Sequence, residues 1–157
     1  MLTLARAELA AQRRHVEHIL AGLPDAALRT PQPPTTWPPA AVVHHLALDV
    51  ERWWFGAVVT GDAAVLRYFD EHPGGAWSVP PGTDVFEVYR REQAAADRIL
   101  DSVPWDAEPV WWPDFLGPRQ NVGQILLHVV TETATHAGQL DIVREAIDGT
   151  KWLVLDE

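Results

Sequence analysis

The chain has 157 residues, 47% of them hydrophobic, with a formal net charge of −10 and no cysteine. That length suits one domain, residues 1–157, with a sizeable core. An acidic chain repels nucleic-acid phosphates, a chain without cysteine has no disulfide or thiolate of its own, and no apolar run approaches the roughly 18 residues of a membrane span.

The N-terminal stretch MLTLARAELAAQRRHVEHIL is charged throughout and lacks the apolar core of a signal peptide, so a cytoplasmic protein is expected. It predicts a first helix over 2–21, with Leu2, Leu9, Val16, Ile19 and Leu20 near one face and His15 and His18 at the surface. After the breakers PQPPTTWPP (31–39), a second helix is expected over about 38–59, with Pro38 and Pro39 in its first turn. The long link 60–82 contains a short helix around AAVLRYF, and its His72, beside Pro73, reads as solvated. A third helix opens at TDVFE, where Asp84 caps and Glu87 reaches back, and it is expected to bury Val85, Tyr89, Ala96, Ile99 and Val103. The fourth, over 120–148, repeats Ile125, Val129, Thr133, Leu140, Val143 and Ile147 and stops at Asp148-Gly149. Its Asp141, Arg144, Glu145 and Asp148 read as helix-supporting pairs. Four long amphipathic segments without an alternating strand predict an all-α fold, a four-helix bundle with a long connection between helices two and three. The tryptophans of loops 72–82 and 103–118 are expected to fold over one end of it as packing groups.

The fourth helix carries HVVTETATH, which sets His128, Glu132 and His136 four residues apart in an apolar context. Side chains four apart stand about 6 Å along the axis and 40° around it, so adjacent members of this set can share an ion. The outer two are about 12 Å apart and cannot both be ligands with ease. The second helix offers His44, His45, Asp49 and Glu51. His45 with Glu132 and His136 supplies two imidazoles and a carboxylate, a set known for catalytic zinc and for ferrous oxygenases. Asp49, one turn after His45, reads as a surface carboxylate of the helix or as acceptor of the imidazole's other N–H, and His128 as a packed core residue, as the group that orients Glu132, or as a base. Ser78 and Ser102 lack a nucleophile-elbow setting and no glycine loop cradles phosphate, so a reaction here needs an ion and a nucleophile from outside.

The stretches LRTPQPPTTWPPAAVVHHLALDVERWWF and NVGQILLHVVTETATHAGQLDIVREAIDG resemble the DinB-like metal-binding superfamily, including an uncharacterised actinobacterial branch and the N-terminal domain of mycothiol-dependent maleylpyruvate isomerase. The likeness spans nearly the whole chain. In that pattern the metal histidine lies eight residues after Trp37 and just before a leucine, which selects His45 over His44 and leaves Glu132 and His136 as the paired ligands. The resemblance implies a divalent metal, zinc first with nickel or iron as alternatives, and a low-molecular-weight thiol cosubstrate of the mycothiol type. It implies a thiol-dependent transferase or isomerase-like enzyme acting on a small molecule, and a homodimer. A metal-dependent hydrolase and a non-catalytic metal- or ligand-binding bundle are the competing expectations. Isomerase activity itself is not expected, since the isomerase draws a catalytic arginine from a second domain. Gln139 stands where relatives often carry a further histidine, altering the surroundings of the three ligands but not the ligands themselves.

Overall fold

A computed structural model describes residues 2–33 and 36–152, and among these it is helical with no strand. The helices are α1 (Leu2–Leu20), α2 (Asp25–Leu28), α3 (Pro39–His45), α4 (Ala63–Glu71), α5 (Val85–Ser102) and α6 (Val122–Asp148). α3 passes without a break into a π-helix, Leu46–Val59, so the second rod expected from the sequence is one continuous element with two windings.

Side chains at the termini explain most boundaries. Pro39 opens α3, where a missing N–H costs nothing. Asp62 accepts from the N–H groups of Ala64 and Val65 at the head of α4, and Asp84 from those of Phe86 and Glu87 at the head of α5. The reciprocal box expected there is found instead at α6, where Asn121 and Gln124 each bond the other's backbone N–H. α6 ends at Gly149, whose φ of 79° suits a residue without Cβ. In α5 the expected core positions hold for Val85, Tyr89 and Ala96, whereas Ile99 and Val103 are half-buried beside a fully buried Leu100.

The π-helix was not expected, yet its burial pattern accounts for it. Residues 46, 50, 54 and 58 are buried, and so are 47, 51, 55 and 59. Steps of four drift by about 40° each on an α-helix of 3.6 residues per turn. The wider i→i+5 winding, closed at its end by Thr60 N–H to Phe55 C=O at 3.2 Å, keeps both stripes facing inward.

Contacts between rods fix their directions. His15 meets Asp141, and Arg144 donates to the carbonyls of Ile19 and Ala21, so α1 and α6 run the same way. Arg6–Asp101, Arg13–Asp97 and Glu17–Arg90 pair in opposite order, so α1 and α5 are antiparallel. His45 faces His136 while Trp54 faces His128, so the α3–π rod is antiparallel to α6. The α3–π rod and α5, consecutive in sequence, are therefore parallel. Residues 60–84 must travel back along the bundle, which is the physical reason for the long link and for α4 within it.

The core holds Phe55, Tyr89, Leu9, Leu46, Ile125 and Leu126 in full burial. Buried charge meets within it at Arg13 and Glu51. Arg13 donates through two nitrogens to both carboxylate oxygens of Glu51, each at 2.7 Å, and through a third to Asp97 at 2.8 Å. Burial pushes the Glu51 carboxyl up, against the pull of that guanidinium. Two positions read as local or surface groups instead join elements. Half-buried His15 bonds Asp141 at 2.8 Å, and Arg144, besides pairing with Asp148, ties down the C-terminal carbonyls of α1.

The 103–121 loop is pinned to the end of the π-helix, Val110 N–H to Val59 C=O at 3.0 Å and Trp111 N–H to Val58 C=O at 3.2 Å. Gly61 permits this approach. Its φ is +64°, and a Cβ there would stand 2.6 Å from Val110 Cγ1. No helix among the described residues is long and apolar enough to cross a membrane.

Candidate metal centre

His45 is the last α-helical residue before the winding changes, and it faces α6 near that helix's middle. There Glu132 and His136 share one face at the i,i+4 spacing. The ligand atoms of His45, Glu132 and His136 all lie within 4.8 Å of one another. His136 Nε2 is 3.6 Å from Glu132 Oε2, and the two imidazoles meet edge-on with centroids 4.9 Å apart.

Hydrogen bonds set the tautomers. His45 Nδ1 lies 2.9 Å from Asp49 Oδ2, and His136 Nδ1 lies 2.9 Å from Gln139 Oε1. A carboxylate and an amide oxygen only accept, so each Nδ1–H donates, which leaves Nε2 as the ring nitrogen free to face a cation. Burial first, then the neighbouring His45, holds the His136 imidazole below its ordinary pKa, while Gln139 and Glu132 pull the other way. Neutral imidazoles with oriented lone pairs are what a cation requires.

The residues therefore fit one ion. Donors in a tetrahedral zinc shell, with bonds of 2.0–2.1 Å, stand roughly 3.4 Å apart. The 3.6 Å His136–Glu132 separation is close to that, and all three donors lie within 4.8 Å of one another.

With this geometry in place, comparison with known proteins decides the lineage. The mycothiol-S-transferase family profile matches residues 4–149. The chain belongs to the mycothiol-S-transferase family. That family lies within the DinB-like superfamily, as the resemblance of the two helical stretches implied. Searches among curated proteins and among solved structures returned no match.

In this family member the remaining candidates take distinct places. His44, the alternative to His45, is buried and bonds Ala76 C=O at 2.7 Å, anchoring the 72–82 loop. Asp49 bonds His45 Nδ1 and is not merely the surface carboxylate its position also allowed, whereas Glu51 belongs to the Arg13 pair and not to the triad. His128 is 3.9 Å from Glu132 and packs on the Trp54 ring at 4.6 Å with 40% of its side chain exposed, so it is neither a core histidine nor part of the triad. His72 is exposed, as expected, and stacks on Tyr68.

Trp77 is the residue that the sequence did not disclose. Its ring stacks on His45 at 4.1 Å with 16° between planes, and Trp37 covers it at 4.2 Å. Helical periodicity says nothing about a loop ring lying over a helix residue. The one local signal is the glycine pair of HPGGAW, which permits the tight turn at Gly74 (φ 71°) that delivers Trp77.

Proposed function

We propose that the chain is a divalent-metal-dependent S-transferase, joining a mycothiol-type thiol to a small electrophilic acceptor. The observation carrying this reading is the convergence of His45, Glu132 and His136 within a mycothiol-S-transferase family member. A divalent ion held there, zinc by its donor set, supplies a Lewis acid that lowers the pKa of a coordinating thiol.

The chain's own residues do the rest. His45 and His136 would hold the ion through Nε2, Asp49 and Gln139 accept from each Nδ1–H and so fix which nitrogen faces the site, and Glu132 would offset part of the charge. Three protein donors leave room for an exogenous ligand in a four-coordinate shell. Trp77 lies flat on His45, restricting its rotation and covering one side of it from water. A chain without cysteine offers no thiol to compete with the cosubstrate or form a mixed disulfide with it.

Zinc-loaded protein incubated with mycothiol and an alkyl bromide should give the thioether by mass spectrometry faster than the thiol alone, and His45→Ala should remove that excess. Turnover that needs no thiol would indicate hydrolysis and overturn the reading.

A further inference from the structure

Arg52 and Gly56 lie two residues before and after Trp54, the residue that faces His128 on α6. They therefore stand about half a turn around the π-helix, on the side away from that contact. A cleft of about 540 Å³ opens there, with α4 and α5 as its other walls, and its size is in the range that holds small organic ligands. Part of the wall is aliphatic, formed by Val65, Ala95 and Ile99.

The charges lining this cleft are unevenly committed. Its three carboxylates are all engaged within the chain. Both oxygens of Glu51 are held by Arg13, Glu92 accepts twice from Arg91 at 3.0 and 2.8 Å, and Asp62 caps α4. Most basic side chains of this acidic protein likewise meet a carboxylate. Among the described residues Arg52, Arg67 and Arg98 do not, and Arg52 and Arg98 both line the cleft. The acids nearest them in sequence are taken, Asp49 by His45, Asp97 by Arg13 and Asp101 by Arg6. Half-buried Arg52 is also held in place, its guanidinium 4.3 Å over the Tyr68 ring of α4. Stacking occupies the face of a guanidinium and leaves its in-plane N–H fork for an oxyanion. Two uncommitted guanidiniums with no uncommitted carboxylate beside them select an anion over a cation or a neutral molecule.

We propose that this cleft is a second ligand site, separate from the metal centre, and that it takes a small organic oxyanion, a carboxylate or phosphate carried on an apolar body. Arg52 and Arg98 hold the charged group, and the body rests on Val65, Ala95 and Ile99. The site requires neither the ion nor the thiol, so it stands independently of the transferase reading.

Calorimetric titration of the zinc-loaded chain with phenyl phosphate and with phthalate tests this, one probe for each oxyanion. Saturable binding of at least one is expected, and the tighter of the two names the charged group. Arg98→Gln and Arg52→Gln should each weaken it about tenfold, the loss of one charge-assisted contact. Arg67→Gln, which removes a cation of the same kind outside the cleft, should leave it unchanged. Arg98 is exposed, so its variant should fold, and an unchanged melting temperature checks this. Phenol should not bind, and His136→Ala should bind the probe as the wild type does. Binding of neither probe, equal binding of phenol, a loss in Arg67→Gln as large as in Arg98→Gln, or a loss in His136→Ala, which would put the anion on the metal, would each overturn the proposal.

Discussion

Each imidazole of the candidate triad is positioned by a partner outside it. Asp49 fixes His45 and Gln139 fixes His136, so the ligand nitrogens point one way before any cation arrives. Asp49→Asn should therefore lower zinc affinity about 10- to 100-fold while leaving the helix intact, measured by chelator competition. The depressed His136 pKa sets the pH dependence. Because this imidazole is neutral down to below its ordinary value, zinc affinity should stay flat down to about pH 6.5 and fall as pH drops through the lowered His136 value, where protons compete. The sign for the metal-free fold is the same. The unfolded chain binds this proton more readily, so stability is retained above about pH 6.5 and lost as pH falls through the lower folded value. The triad was legible in the sequence because helix spacing alone sets Glu132 and His136 on one face. The choice of His45 over His44 was not legible from spacing, since adjacent residues point about 100° apart and only the fold says which meets α6. Trp77 was invisible for a related reason: its contact joins two elements about 30 residues apart through a loop.

Among elements, periodicity located all four long rods because each buries an apolar face, and the Asp84 cap marked the start of α5. It could not reveal the π winding. A run as apolar as LALDVERWWFGAVV satisfies several periods at once, and only burial against α5 and α6 shows two stripes kept in line. Nor did it show that Glu51 sits under a guanidinium from another helix. Breaking that pair by Arg13→Leu should cost about 3–5 kcal/mol in urea unfolding, because Glu51 would stay buried without its counter-charge. Replacing both residues by apolar ones should recover much of the loss. Asn121→Ala, which opens the box at the head of α6, should cost about 0.5–2 kcal/mol.

For the whole molecule, the parallel pairing of the α3–π rod with α5 and of α1 with α6 brings the middle of α6 against the α3–π junction, where the triad forms. Metal and fold are then linked, since an ion bound only by the folded chain stabilises it by mass action. At a free zinc concentration 100 times the dissociation constant the gain is about 2.7 kcal/mol, which should raise the melting temperature by roughly 5–10 °C for a chain of this size, lost again on adding chelator.

The most direct test is the absorption spectrum of the cobalt-substituted protein as mycothiol is added. One equivalent of cobalt, a thiolate-to-metal charge-transfer band that saturates with thiol, and loss of both in His136→Ala are the expected results. A His136→Ala protein that keeps its equivalent of metal, or a wild-type spectrum that the thiol leaves unchanged, would contradict the claim that this centre binds an ion and activates a thiol.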